Sequence, residues 1–211
     1  MGPDFWWQFW IVAVVFMVLV NVGYTAWILP LFNTLTPLAE GELRDKLLQY
    51  AAKVNFPVKH IFVMDGSRRS AHSNAFFTGF GSHKRVVFFD TLLEQLSADE
   101  MEAVLAHELG HFKHRHVLKM MATSFIVTLL GLALLGWLSQ QVWFFTGLGV
   151  TPQIALSVGD QAAALVSNDA LALLLFMQVV PLASFFITPL SSSRSRRYEF
   201  EADAYAMQQT P

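Results

Sequence analysis

The sequence predicts a mainly α membrane protein: about three transmembrane helices plus a compact α+β segment that faces water. Three observations predict it. Hydrophobic residues make up 54% of the 211 and charged residues 14%, where a soluble domain carries about 25% charged residues. The charges are also segregated. Forty residues between Lys119 and Asp160 carry none, nor do twenty-four between Asp169 and Arg194, nor the stretch between Phe5 and Glu40. The basic residues, finally, gather between 33 and 119. The alternative, buried core helices of a soluble protein, is disfavoured by the length of the charge-free runs. A net charge of −2 gives no reason to expect nucleic acid. Zero cysteines exclude disulfides, thiolate metal sites and a cysteine nucleophile.

The first element, residues 1–32, is a transmembrane anchor. Its run from Phe5 to Phe32 lacks a basic leader region and a small-residue cleavage site, so it reads as retained. Residues 120–190 supply two more spans, Met120–Leu138 and Ala170 to about Leu190, joined by an external loop at about 139–169. Pro181 and Pro189 inside the last span suggest a kink. A fourth span within the loop is opposed by Gly147, Gly149, Pro152 and Gln153, which leave apolar pieces shorter than the ~20 residues a helix needs. Orientation follows the basic residues: eleven in 33–119, none in 139–169 and three in 191–211. The positive-inside rule puts the first and last of these segments in the cytoplasm.

The segment 33–119 is charge-balanced and foldable. GELRDKLLQYAAKV carries Leu43, Leu47, Leu48 and Ala51 at helical spacing, ended by Pro57. VKHIFVMDG reads as a strand entering a turn, and SRRSAHS as polar loop. NAFFTGF and RVVFFD around GSHK read as a β-hairpin. Ser97 and Glu100 form a capping box, and Met101, Val104, Leu105, Leu109 and Phe112 follow at helical spacing. A helix therefore starts near residue 98 and runs through HELGHFKHRH.

That helix carries the chemistry. His107-Glu108-Leu109-Gly110-His111 matches H-E-x-x-H. Residues i and i+4 share a helix face, so both imidazoles can reach one Zn²⁺ at ~2.0–2.1 Å. Glu108 projects about 100° away, toward a water on the metal rather than the metal, and is the candidate general base. The zincin-like reading of 33–119 rests on this motif; the bland reading is a chance match among surface histidines. His114 lies about 10 Å along the axis from His107, so one straight helix cannot bring it to the same ion. His114 and His116 are expected as solvated or interfacial residues.

A hydrolytic zinc site needs a third protein ligand and an open fourth position. The last segment, 191–211, lies on the same expected side and reads as a cytoplasmic helix, with Glu199, Glu201 and Asp203 as its acids. Glu199 and Asp203 share a face and Glu201 points elsewhere. One of the pair can ligate while the other holds a ligand histidine in place. A solvated acidic face on an interfacial helix is the alternative.

HELGH on a capped helix, EFEADAYA after a later span, PLFNTLTPL after the first, and SAHSNAFFTGFGSHKRVVFFDTLL together resemble the type I CAAX prenyl endopeptidases. These are integral-membrane gluzincin metallopeptidases, more distantly related to HtpX. The resemblance covers nearly all of residues 5–210. It implies one Zn²⁺ per chain, held by His107, His111 and Glu199, with Glu108 as catalytic base and Asp203 supporting a ligand. It also implies that Asn74, Ala75 and Phe76 form a strand edge that binds substrate backbone by β-augmentation. Members of the family extend further at both ends, including a downstream segment with a His and an Arg near the active site. The chain is therefore expected to be a piece of a longer protein.

The function expected is membrane-embedded, zinc-dependent endopeptidase activity with the active site facing the cytoplasm, hydrolysing peptide bonds in CAAX-type C-terminal processing. Its partners are a lipidated or membrane-associated polypeptide and the bilayer itself. An HtpX-like role in membrane-protein quality control is the alternative among enzymes. A ZIP-like zinc transporter is opposed by the charges Asp99, Glu100, Glu102, Lys113 and Arg115 around the motif, which are costly inside hydrocarbon. A non-catalytic zinc-binding scaffold is opposed by the count of three good ligands, where structural sites usually have four.

Overall fold

A computed structural model describes residues 5–56, 58, 60–68, 74–78, 85–155, 164–165 and 168–210. The chain divides into two compact units, Met1–Met17 with Lys119–Arg194, and Val18–Leu118 with Ser195–Pro211.

The first unit is built from apolar helices. Helix α1 spans Phe5–Gly23. It runs through a π-helical turn, Tyr24–Ile28, into the short α2, Leu29–Phe32. Within this unit Phe5 packs with Leu135, Leu138, Phe144, Phe145 and Ala172. The Trp10 indole N–H donates to the Phe125 carbonyl at 2.9 Å, which satisfies the one polar atom of that ring. Most of the apolar surface points outward: Val12, Phe16, Leu130, Leu174, Met177, Phe185 and Phe186 are all exposed. A water-soluble unit would bury such side chains, whereas hydrocarbon accepts them. Among the described residues three helices are long and apolar enough to cross a membrane: Phe5–Gly23, His116–Leu138 and Asp169–Gln209.

The second unit holds a four-stranded sheet of order β1-β2-β4-β3. Its strands are β1 (Leu35–Pro37), β2 (His60–Met64), β3 (Ala75–Thr78) and β4 (Arg85–Phe89). β1 and β2 are antiparallel, β2 and β4 parallel, β3 and β4 antiparallel. The expected hairpin is the β3–β4 pair, with Phe76 opposite Val87; its turn lies outside the described residues. β4 is buried on both faces. Val86 and Phe88 face a core with Leu47, Tyr50, Met101, Leu105 and Leu109, while Val87 joins Leu29 and Met64 on the other side. β3 is an edge strand of this sheet.

Helices α3 (Glu42–Lys53) and α5 (Ala98–Lys113) supply the first of those cores. α3 ends before Pro57, where Asn55 turns left-handed with φ 55°; asparagine tolerates that region better than most residues. Two small elements were not expected, β1 and α4 (Asp90–Gln95). α5 begins as its capping box requires: the Glu100 carboxylate accepts the Ser97 N–H at 2.8 Å and Ser97 Oγ accepts the Glu100 N–H at 3.4 Å. It ends at His114, and Arg115 adopts φ 55° before α6 (His116–Leu138) begins.

Between α6 and the last helix lie α7 (Val142–Gly147) and a two-residue pairing of β5 (Ile154–Ala155) with β6 (Ala164–Leu165). α8 is then one helix of 41 residues, Asp169–Gln209, with Pro181 and Pro189 inside it. The expected span and the expected last-segment helix are thus one element. Near these prolines the Ser184 hydroxyl donates to the Pro181 carbonyl at 2.7 Å and the Thr188 hydroxyl to that of Ser184 at 2.7 Å. Proline inside a helix is tolerated in membrane spans.

Candidate metal centre

The site is assembled from α5 and the C-terminal part of α8. What lets these helices meet is Gly110. A Cβ at that position would sit 2.8 Å from the Ala202 Cα and 2.9 Å from its carbonyl oxygen. No side chain fits such a gap, so glycine permits backbone-to-backbone approach. Ala202 is fully buried against it.

This approach brings three side chains together. The Nε2 atoms of His107 and His111 are 3.1 Å apart, and each lies 3.4 Å from Glu199 Oε2. Ligands at ~2.0–2.1 Å from a tetrahedral ion are separated from one another by roughly 3.3 Å. The three atoms therefore form one face of a tetrahedron of the right size, and the set of two imidazoles and one carboxylate suits zinc. His107 and His111 are half-buried and Glu199 is exposed, leaving an open side.

Each histidine is also held from behind. His107 Nδ1–H donates to Asp203 Oδ1 at 2.7 Å. His111 Nδ1 lies 3.1 Å from His116 Nδ1. Burial holds the His111 imidazole below its ordinary pKa; Glu199 opposes the shift, while His107 and His116 add to it. A neutral imidazole is the form that ligates. Burial likewise pushes the Glu108 carboxyl up to about 7, with His107 opposing and Glu199 adding. General bases work best near the operating pH.

The residues expected from sequence fall in two places. His107, His111, Glu199 and Asp203 converge as described, and Glu108 lies between the two histidines in the chain. Asn74, Ala75 and Phe76 are not part of the ligand cluster. They lie at the start of edge strand β3, where the Asn74 carbonyl accepts the Phe89 N–H at 3.0 Å and its side chain accepts the Ala75 N–H at 2.8 Å. The strand adjoins the ligand helix, because the Phe77 ring lies 6.5 Å from that of Phe112 on α5.

One expectation is corrected. His116 is not solvated: its side chain is 1% exposed. Glu201 lies outside the ligand group; it is half-buried, 3.1 Å from His116 Nε2 and 2.8 Å from Arg197 Nε. The expectation failed because it extended α5 as one straight helix past Arg115. Arg115, at φ 55°, ends that continuity, and no glycine or proline in the sequence marks the break.

Comparison with known proteins matches residues 37–211 to the model of Peptidase family M48. The chain is 36% identical to CAAX prenyl protease 1 of Saccharomyces cerevisiae over 96% of its own length and 45% of the yeast protein's. It is 38% identical to the CAAX prenyl protease 1 homolog of Oryza sativa over 87% of this chain and 40% of that protein. Among solved structures it resembles S. mikatae Ste24p, with a TM-score of 0.81, 34% identity, and coverage of 97% of this chain and 48% of that one. The chain thus spans about half the length of the curated relatives it matches.

Proposed function

Because the chain belongs to peptidase family M48, we propose that it is the zinc-binding part of a membrane-embedded endopeptidase. In this reading His107, His111 and Glu199 hold one Zn²⁺, and Glu108 is the general base. The observation that carries it is the triangle of ligand atoms at 3.1, 3.4 and 3.4 Å. Bound zinc supplies a Lewis acid that makes water a nucleophile at neutral pH. Glu108 accepts the proton of the attacking water and passes it to the departing amine. Asp203 keeps the His107 proton on Nδ1, so that Nε2 presents its lone pair. The edge of β3, from Asn74 through Phe76, takes an extended peptide as an added strand.

The substrate proposed is the C-terminal region of a prenylated CAAX polypeptide. The reading rests on the relatives, two of which bear the name CAAX prenyl protease, and on the exposed apolar helices beside which a lipidated chain would travel. The active site is proposed to face the cytoplasm, on the distribution of eleven, none and three basic residues.

The test is metal content and cleavage on the same preparation. Purified chain should hold about one zinc by elemental analysis, and cleavage of a farnesylated CAAX peptide should vanish with a chelator and return with zinc. Unchanged zinc content in both His107→Ala and Glu199→Ala would overturn the site. Equal cleavage of the peptide with and without its farnesyl group would overturn the substrate and favour general membrane-protein turnover. For orientation, Ala39→Cys, Gln153→Cys and Ser193→Cys provide single thiols in a cysteine-free chain. Only the second should react with an impermeant reagent on intact cells.

A further inference from the structure

His116 begins α6, outside the H-E-x-x-H motif, yet its side chain is almost fully buried. The Tyr198 ring stacks on it, centroids 4.3 Å apart and planes 12° from parallel, and His114 stacks at 5.5 Å and 14°. Both of its nitrogens are engaged: Nδ1 lies 3.1 Å from His111 Nδ1 and Nε2 lies 3.1 Å from Glu201 Oε2. The other oxygen of Glu201 accepts the Arg197 Nε–H at 2.8 Å.

The direction of every bond in this chain is fixed by the metal reading, on which the inference rests. If His111 gives its Nε2 lone pair to the ion, its proton is on Nδ1 and is donated to His116 Nδ1. His116, neutral, must then carry its own proton on Nε2, and this donates to the Glu201 carboxylate. Glu201 in turn accepts from Arg197. No donor meets a donor and no lone pair meets a lone pair. The geometry points to His116 as a positioning residue that locks the tautomer and ring orientation of His111, with Glu201 and Arg197 locking His116 in turn. His107 is backed by a carboxylate directly; His111 is backed by a carboxylate through an intervening imidazole.

The cluster His114, His116 and Glu201 also has donor atoms close enough for a metal of its own. Such a metal would take the Nε2 lone pair of His116 and move the proton to Nδ1. His111 would then have to receive that bond on Nδ1 and carry its proton on Nε2, closed to the first ion. The relay and a second metal centre are mutually exclusive.

The experiment measures zinc affinity by competition with a chromophoric chelator, together with the visible spectrum of the cobalt-substituted chain and the melting temperature of the metal-free protein. His116→Phe keeps a flat ring against Tyr198 but removes the acceptor. It should lose roughly ten- to hundredfold in zinc affinity and alter the cobalt spectrum, while the metal-free protein melts as wild type. His116→Asn, whose side-chain oxygen can accept from His111 Nδ1, should recover most of the affinity. Glu201→Leu should weaken zinc by a smaller factor, and combining it with His116→Phe should add little, because the two act in series. Wild-type affinity in His116→Phe overturns the proposal. So does equal loss in His116→Phe and His116→Asn that tracks the metal-free melting temperature, which marks a packing role; should His116→Phe fail to fold, additivity of His116→Asn with Glu201→Leu overturns it instead. A second zinc per wild-type chain that His116→Phe removes while the first remains also overturns it. Unchanged zinc in His107→Ala and Glu199→Ala would instead bring down the ligand set, and the relay with it.

Discussion

The two walls of the metal centre are both helical, but different forces set them in place. α5 is a locally specified helix: it has its own capping box and buries Met101, Leu105, Ala106 and Leu109 in a core shared with the sheet. The facing turns of α8 bury only Tyr198 and Ala202, and their acids Glu199 and Asp203 are exposed. The first wall is set fully in that core, while the second reaches it only with the partly buried Tyr205 and Ala206 and otherwise meets α5 by the close backbone approach at Gly110. The comparison teaches where the site is vulnerable. A change at Glu108 on α5 should alter chemistry alone, while changes at the ligands His107, His111 and Glu199 should alter whether the metal is held at all.

The sharpest break in that contrast is a pair of glutamates. Glu199→Ala removes the only ligand contributed by α8, and zinc affinity should fall well beyond the roughly hundredfold typical of a lost supporting group, with activity abolished. Glu108→Gln on α5 should retain full zinc by elemental analysis while turnover drops by about 10²–10⁴-fold. If Glu108→Gln loses its metal as readily as Glu199→Ala, Glu108 is not set apart from the ligands as described.

Gly110→Ala tests the approach itself. The added methyl meets the Ala202 backbone, so Ala202→Gly should not rescue it. Overpacking of this kind costs about 1–3 kcal/mol. Thermal melting of the metal-free protein should report that cost, and zinc affinity should fall with it. Full rescue by Ala202→Gly would show that only the side-chain methyl, 3.2 Å away, was in the way.

Asp203→Asn is smaller, since the amide oxygen can still accept the His107 Nδ1–H. A loss of roughly tenfold in zinc affinity is expected, at the low end for such neighbours. Smallest is Ser97→Ala, which should cost about 1 kcal/mol of stability and leave turnover at saturating zinc unchanged. The same cap has a pH signature. Bonds from Ser97 hold the Glu100 carboxyl below its ordinary pKa, so its contribution is complete above that ordinary value. It fades as the pH falls through the lowered one. Melting curves between neutral and acid pH should show this slope in wild type and less of it in Ser97→Ala.

What could be read from the residues follows the same divide. The start of α5, the His107–His111 pair and the β3–β4 hairpin depend on contacts within a few positions, and local pattern finds them. The alignment of Glu199 with that pair came through family resemblance, because spacing alone left Glu199 and Asp203 interchangeable. β1 was missed because three residues containing a proline carry no alternation. α8 reads as two pieces in the sequence because composition changes from a charge-free run to a charged one near residue 190, and a change of composition does not end a helix. His116, Glu201 and Gly110 matter through tertiary contacts that appear only after the corner at Arg115 is turned.

That corner also sets how the chain can be edited. On an uninterrupted helix His116 would stand about 140° around the axis from His111; Arg115, at φ 55°, folds it back instead, at a cost of about 1–2 kcal/mol for a side chain in that region. Glycine or asparagine at 115 should therefore be accepted, and glycine should even relieve strain. A change in the number of residues is another matter. One extra residue between 111 and 116 swings the buried ring out of its slot, and no neighbouring loop can absorb the error because helices begin on both sides. At this point the protein tolerates spelling changes but not a change in word length.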